Sequence, residues 1–434
     1  MNKLRVLWES LRSSLWFLPT LLVLGAVVLA ISVIEAEPWF DGNNFEEKWP
    51  RLLGAGAAGA RGMLTAIASS IITVAGVTFS SIIVALSLAS SQYTSRILRN
   101  FMRDQGNQSV LGVFLGVYAY CLVVLRTIRG GDEGTFVPSF AIYVAVVLAF
   151  VAIGFFIFFI HHISSALQAS SIIEAAAQET IEAIDRLFPA DLGEAAGSGL
   201  STRLPPADEQ WQKISSRRTG YIQSVDGDAL FRLAREWNVV IRMEAGIGEF
   251  VVAGAPLVSI AGETIPGDKR ELELNGAYSI SRHRTTVQDV GFGIRQIVDI
   301  ALKGLSPGIN DTTTAVICVD YLSAILVRLA SHQVETPFRM DQGELRVISR
   351  GPTFRSLLDE SFDQIRQNSE GNVAVLARLI QALNTISGFT YDQDRCQALK
   401  LHADLVLETM ERSVSSHHDR AAIRRASRPT ERKR

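Results

Sequence analysis

The sequence is poor in features that several common protein classes need. Only 20% of its 434 residues are charged, whereas 48% are hydrophobic, and ordinary soluble domains carry roughly 25% charge. A disordered chain would show the opposite balance. Three cysteines, Cys121, Cys318 and Cys396, are too few and too scattered for a disulfide framework or a zinc site. A formal net charge of -2 gives no general basic field, which disfavours a nucleic-acid partner.

Enzyme signatures are also missing from the sequence. It contains no phosphate loop with Gly-Lys-Ser, no His-Glu-x-x-His and no Cys-x-x-Cys. The glycine-rich strands at 239–260 are similar to the hairpins of biotinyl and lipoyl domains but have no lysine at the turn. We therefore expect a protein that is not an enzyme and that holds neither a cofactor nor a metal ion.

Charged residues are absent from four long stretches, 13–34, 62–95, 105–125 and 134–173. About 20 apolar residues cross a hydrocarbon core as a helix. We predict four transmembrane helices, near 14–35, 63–90, 109–127 and 139–161.

An even number of spans places both termini on one side of the membrane. Six Lys and Arg residues on that side face five on the other, so the positive-inside rule gives a marginal preference for cytoplasmic termini. We expect a multi-pass protein of the cell (inner) membrane.

The long apolar stretches end near Gln168, and the sequence beyond it predicts several further domains. The fold class expected is an α-helical polytopic membrane domain with four transmembrane helices plus a cytoplasmic α+β domain. Strand patterns and glycine turns precede about residue 285, and helical spacing follows it. The predicted domains are 1–167 (four-helix membrane domain), 168–210 (a continuation of the fourth helix to Leu187, then a linker), 211–284 (small, mainly β), 285–416 (helical) and 417–434 (a basic disordered tail).

Charge divides along the same lines. Residues 169–416 hold 24 Lys and Arg against 33 Asp and Glu, whereas 417–434 hold 7 against 2. The predicted soluble domain is therefore acidic. The tail could contact anionic lipid, at about 1 kcal/mol per basic side chain near the surface, or it could be a solvated terminus.

Two stretches carry a family resemblance. One runs from Val287 to Leu302 and continues through Ser306-Pro307-Gly308-Ile309-Asn310-Asp311, and the other is Val84–Asp104, with Ser91-Gln92-Tyr93-Thr94-Ser95-Arg96 at its centre. Together they resemble the domain-of-unknown-function 2254 family of predicted bacterial membrane proteins, from the first span to about residue 410. The family usually has proline after the Asn-Asp pair, where this chain has Thr312. The resemblance implies the architecture and no activity.

Small and hydroxyl side chains form a row along the second predicted span. They recur at helical spacing at Ser69, Thr73, Gly76, Ser80, Ser87 and Ser91. Such a row can line a pore, because hydroxyls replace ion or water contacts. It can equally be a surface for close helix packing, which is the commoner cause.

Three arginines follow this row, at Arg96, Arg99 and Arg103, and share one helical face. They could form a cationic ring at the cytoplasmic mouth of a pore. The alternative is an amphipathic segment whose arginines touch lipid phosphates. No ionisable residue lies in the middle of a predicted span, which lowers the case for active transport.

The richest polar cluster lies in the predicted cytoplasmic domain. Asn310 or Asp311 should cap a helix, and a helix start near arginines could hold a phosphate or nucleotide anion. The candidate ligand-binding residues are Arg282, Arg284, Arg295, Asn310 and Asp311. The alternative is a turn satisfied by its own caps and ion pairs.

Two functions remain open at this point. The leading hypothesis is a homo-oligomeric passive channel for ions or small solutes, gated by the cytoplasmic domain. The alternative is a non-conducting, membrane-tethered sensor or scaffold that binds an anionic ligand or a protein partner. The lipid bilayer and further copies of the chain are the expected partners.

Overall fold

The computed structural model describes residues 16–41, 56–92, 104–129, 136–166, 168–187, 211–262, 268–286, 288–332 and 338–426. Its contacts divide the chain into two compact units, Met1–Ser171 and Ile172–Arg434. The predicted combination of a mostly helical chain with a smaller α/β region is confirmed.

The first unit contains four long helices. These are α1 (Phe17–Asp41), α2 (Ala57–Gln92), α3 (Gln105–Thr127) and α4 (Ser139–Ala166). Helix α3 is central and packs against the other three. The core of the unit is apolar, and its largest fully buried side chains include Phe114 and Tyr120 of α3 and Leu64 of α2.

Two glycines let α1 approach α3 closely. A Cβ on Gly112 would lie 2.5 Å from Leu22 Cδ1, and one on Gly116 would lie 3.4 Å from Ala26 Cβ. Small residues spaced four apart permit such backbone contact between membrane helices. The Gly-x-x-x-Gly spacing of this pair is the signal in the sequence that could have predicted the contact.

The second unit begins with α5 (Ala169–Leu187), most of which belongs to it. The prediction that the fourth helix runs on to Leu187 is wrong. Helix α4 ends at Ala166, and a bend at Gln168, whose amide donates to the Ser165 carbonyl, comes before α5.

Two sheets follow in the second unit. Their strands and associated helices are β1 (Gln212–Ser215), β2 (Gly220–Val225), α6 (Gly227–Glu236), β3 (Val240–Met243), β4 (Phe250–Val251), β5 (Pro256–Ala261), α7 (Asp268–Gly276) and β6 (Tyr278–Ser281). One sheet has the order β4-β2-β6. Asp226 caps α6 by accepting from Ala229 N.

The remaining elements are mainly helical. They are α8 (Val290–Leu305), α9 (Thr312–Ser331), β7 (Phe338–Asp341), β8 (Glu344–Ile348), α10 (Phe354–Gln367), α11 (Val373–Ser387), α12 (Gln393–Ser413) and α13 (His417–Ala426). Strands β7 and β8 join β1, β5 and β3 in the order β1-β5-β3-β8-β7, with β8 parallel to β3. The second sheet therefore uses residues from both sides of residue 285.

The predicted disordered tail is wrong for its first ten residues. Residues His417–Ala426 form α13, which packs against α11 and buries Ile423. Arg420 and Arg424 both pair with Glu411 of α12. The rest of the tail, 427–434, lies outside the described residues.

Within the described ranges, five helices rather than four are long and apolar enough to cross a membrane. They are Phe17–Glu37, Ala57–Leu88, Gln105–Thr127, Ser139–Ala166 and Thr312–Ser331. The first four correspond to the predicted spans. The fifth, α9, lies in the second unit, where it packs against α8 and α11. Helix α9 was not predicted as a span because Asp320 and Arg328 interrupt its apolar sequence, so it contains no long charge-free stretch.

Candidate functional site

The row of small and hydroxyl residues on α2 lies on the exposed side of that helix. Its described side chains, at Ser69, Thr73, Ser80 and Ser87, are exposed, as is Gly76. The opposite side is buried in the unit, with Leu64, Ala68, Ile71, Ala75, Thr78, Ile82 and Ala85. The row therefore takes no part in the packing of the first unit. Ser91 lies in the last turn of α2, and its side chain is outside the described part.

Local geometry at this row is compatible with both interpretations of it. Thr73 Oγ1 donates to the Ser69 carbonyl at 2.7 Å, so this hydroxyl is satisfied within its own helix and tolerates lipid. A Cβ built on Gly76 would meet nothing within 4 Å, so this side is open to close approach. The arginines predicted at the mouth, Arg96, Arg99 and Arg103, lie outside the described residues.

Polar contacts in the first unit concentrate near helix ends. The Asp104 carboxylate caps α3 by accepting from Gly106 N at 2.7 Å, and its other oxygen lies 2.6 Å from His162 Nε2 of α4. Near the opposite end of α3, Arg61 of α2 donates to the Ile128 carbonyl at 2.8 Å. These contacts join helices that are far apart in the sequence.

Glu37 is a buried carboxylate and was not among the predicted site residues. Only 2% of it is exposed, and its Oε1 accepts from Phe140 N, in the first turn of α4, at 2.8 Å. A carboxylate at a helix start satisfies amides that have no partner within the helix. Its position in the last turn of an apolar span was the available signal.

In the second unit, Arg284, one of the candidate ligand-binding residues, is held at the start of α8 by Asp289. Its Nε and Nη2 atoms lie 2.7 and 2.9 Å from the two Asp289 oxygens. Asp289 also caps α8 by accepting from Phe292 N. Burial lowers the pKa of Arg284, but hydrogen bonding to Asp289 outweighs this effect and raises it above its ordinary value. This guanidinium is therefore already neutralised within the chain.

Glycines allow the surrounding backbone to close around this pair. A Cβ on Gly248 would lie 2.6 Å from Asp289 Oδ2, and one on Gly291 would lie 3.0 Å from Glu360 Oε2. Gly248 also has φ of +84°, a conformation that favours glycine. The turn before β4, the start of α8 and helix α10 thus meet at Arg284 and Asp289.

Arg295 is paired in a similar way on the next turns of α8. Its Nε lies 2.8 Å from Asp299 Oδ1, and its Nη1 donates to Gln364 Oε1 of α10 at 2.9 Å. Arg295 and Asp299 are four positions apart, the spacing that brings two side chains together on one face of a helix.

Asn310 and Asp311 lie at the other end of α8. This helix has 16 residues, so its ends are about 24 Å apart at 1.5 Å per residue. Asp311 caps α9 by accepting from Thr314 N at 3.0 Å, and Asn310 adopts a left-handed φ of +50°. The open choice between the two caps is settled in favour of Asp311. Hydrogen bonding to Thr314 lowers the pKa of the Asp311 carboxyl.

The five candidate ligand-binding residues therefore do not converge on one point. Arg284 and Arg295 lie near the start of α8, Asn310 and Asp311 lie beyond its end, and Arg282 is exposed. Among the described residues, no group of three or more His, Cys, Asp or Glu side chains is arranged to hold a metal ion.

Fold and site together define a class of protein, namely a membrane protein with several apolar helices and an attached α/β unit. More particularly, the chain belongs to the predicted membrane protein family DUF2254, whose profile matches residues 12–385. The predicted membership is confirmed.

Relatives in mycobacteria extend the similarity over nearly the whole chain. An uncharacterised protein of Mycobacterium bovis and one of Mycobacterium tuberculosis are each 32% identical over 435 residues, covering 98% of this chain and 81% of theirs. No solved structure matches.

Proposed function

We propose that the protein is a homo-oligomeric channel of the inner membrane that passes ions or small solutes without an energy source. In this proposal, the first unit spans the bilayer four times and the second unit is a cytoplasmic gating domain. Both termini lie in the cytoplasm, and the exposed row on α2 lines the path.

The observation that carries the proposal is the exposure of this row on the side of α2 opposite to the packed side. One copy alone would place five consecutive members of the row, from Ser69 to Ser87, against lipid. Several copies arranged around an axis would instead turn them toward water, where hydroxyls can replace part of the hydration of a solute. The 36 residues of α2 amount to about 54 Å, so the helix is long enough to cross the hydrocarbon core and project beyond it.

The proposal treats α9 as a core helix of the second unit and not as a fifth span. Both charged residues of α9 support this assignment, because Asp320 pairs with Arg378 at 2.6 Å and Arg328 pairs with Asp185 at 2.7 Å. The apolar residues of α9 are buried by neighbouring helices of the same unit. Hydrophobic burial within the chain accounts for its composition without lipid.

Topology reporters test the number of spans. Four spans place a reporter at the C-terminus on the same side of the membrane as one at the N-terminus, whereas five spans place them on opposite sides. We expect a reporter that is active only in the cytoplasm to be active when it is fused to either terminus. Opposite locations would contradict the assignment of α9 and of the second unit.

Flux from proteoliposomes tests conduction. We expect the purified protein to release K⁺ or Cl⁻ from loaded liposomes, as measured with ion-selective electrodes, and Ser80→Leu or Thr73→Leu to abolish the release. Phe79→Leu is the matched control, because Phe79 is also exposed but points about 100° away from Ser80. Undetectable flux, or flux that ignores the row, would refute the proposal.

A non-conducting sensor or scaffold is the second candidate function. The exposed guanidinium of Arg282 favours it, since Arg284 and Arg295 are already paired within the chain. A thermal-shift screen of phosphate and nucleotides on the full chain would test this candidate. A stabilisation that is lost in Arg282→Ala would support it, and the absence of any shift would leave only protein partners for this function.

A further inference from the structure

The ion cluster around the start of α8 holds more negative than positive groups. Two guanidinium groups, Arg284 and Arg295, face three carboxyl groups, Asp289, Asp299 and Glu360. Asp289 is paired with Arg284 and Asp299 with Arg295, at 2.7 and 2.8 Å. With all five groups ionised, the cluster would carry one uncompensated negative charge, and Glu360 is the carboxyl left over.

Glu360 lies against the start of α8, but its carboxyl group has no ion pair and no hydrogen bond from a described side chain. Across the described part of the chain, no side chain donates a hydrogen bond to its carboxyl group or lies within ion-pair distance of it. Its Oε2 lies 3.0 Å from where a Cβ on Gly291 would be. Glycine at this position therefore lets the carboxyl group approach the helix backbone.

The surroundings of Glu360 favour its neutral form. Burial raises the pKa of Glu360, and the charges of Asp289 and Asp299 raise it further, against the lowering effect of Arg284 and Arg295. These four groups are the charged residues that act on it: Arg284 and the cap Asp289 precede α8, and Arg295 and Asp299 lie in α8 itself. A carboxyl group removed from water without an ion pair binds a proton more readily.

We propose that Glu360 is a proton-binding residue, and that uptake of one proton stabilises the packing of α10 against α8. The added proton removes the excess negative charge from the cluster and leaves two matched ion pairs. Because Asp289 also meets the turn at Gly248, the same proton stabilises the junction of this turn with the two helices.

The sign of the pH dependence follows from the raised pKa. A carboxyl group that binds its proton more tightly in the folded state stabilises that state when protonated. Stability is then lost as the pH rises from the unfolded-state pKa of a glutamate, about 4.3, through the folded-state value. Glu360→Gln, which is neutral at every pH, should avoid this loss.

Thermal unfolding of the full chain in detergent at pH 4.5 to 8 tests the proposal. We expect Glu360→Gln to raise Tm by about 2–4 °C at pH 8, a shift typical of one modest interaction in a domain of this size, and to match the unmodified protein at pH 4.5. Glu370→Gln is the control, because Glu370 follows α10, is exposed and pairs with Arg412; it should give no gain at pH 8.

Two results would overturn the proposal. A lower Tm of Glu360→Gln at pH 8 would show that the ionised carboxylate stabilises the fold through Arg284. Equal Tm values at every pH would show that no coupled proton binds there.

Hydrogen exchange of the unmodified protein decides the matter if the variant does not fold. After correction for intrinsic exchange rates, protection of residues 354–367 should increase as the pH falls from 8 to 5.5, while that of residues 227–236 stays constant. An unchanged protection of 354–367 would contradict the proposal.

Discussion

Helices α4 and α9 are both long and apolar, but α4 leaves many of its apolar side chains exposed, whereas α9 buries most of its own. Both qualify as possible spans by length and hydropathy. Ile157 of α4 is 64% exposed, whereas Ile325 of α9 is fully buried by its own unit. Hydropathy thus identifies apolar helices, but the partners that cover them decide between lipid and a protein core. The charged residues of α9, both paired, agree with the second alternative.

The largest expected difference in stability between these helices comes from replacing one isoleucine by alanine in each. Ile325→Ala should reduce the free energy of unfolding of the second unit by about 2–5 kcal/mol, because it leaves a cavity in a packed core. Ile157→Ala should change stability in detergent much less, since its side chain is exposed. Chemical denaturation monitored by tryptophan fluorescence would measure both, and equal losses would contradict the contrast.

A smaller effect is expected where α5 crosses α8 within the second unit. A Cβ on Gly293 would lie 2.0 Å from Thr180 Oγ1 and 3.0 Å from Thr180 Cβ, and Thr180 is fully buried. Gly293→Ala should therefore cost about 1–3 kcal/mol through overpacking.

Adding Thr180→Gly should recover part of this loss if the two residues collide. Gly308, in the turn beyond the end of α8, offers a control: a Cβ built on it would meet nothing within 4 Å, so Gly308→Ala should lack this steric cost. Denaturation of the single and double variants would show a coupling between 180 and 293. Strictly additive losses would argue against the contact.

The cap of α9 should give a still smaller effect. Asp311→Ala should cost about 0.5–2 kcal/mol, the usual range for a lost N-terminal cap. Asp311→Asn, which keeps an acceptor, should cost less.

The loss should also depend on pH. The pKa of Asp311 is lowered in the folded state by hydrogen bonding to Thr314, so its stabilisation is present above the unfolded-state pKa of about 3.9 and disappears as the pH falls through the folded value. Melting curves at pH 7 and pH 3 would measure this, and a loss that is the same at both values would contradict the ionised cap.

Much of this architecture could be predicted from local sequence. Charge-free runs located the four long helices of the first unit, and helical spacing located α8 to α12. These features depend on neighbours within one or two turns. The Asp-x-x-Thr pattern at Asp311 likewise contains its own partner, so the cap could be predicted as one of two choices.

Features that depend on distant partners could not be predicted in the same way. Strand β7 pairs with β8, which lies beside β3 about one hundred residues earlier, and α13 becomes ordered against α11 and α12. Glu37 lies just beyond the first predicted span, 14–35, yet its carboxylate accepts from Phe140 N, 103 positions away. The pairing of Arg284 with Asp289 and of Arg295 with Asp299 likewise depends on the folded arrangement of these side chains.

The most direct test of the account is whether the exposed row on α2 faces water in the assembled membrane protein. A Cys396→Ser background removes the exposed native thiol, while Cys121 and Cys318 are buried. Single cysteines at Thr73 and Ser80 should react with a membrane-impermeant thiol reagent in liposomes, whereas a cysteine at the adjacent Phe79 should not. Unreactive cysteines at both row positions, or equal reaction at all three, would contradict a water-filled path along α2.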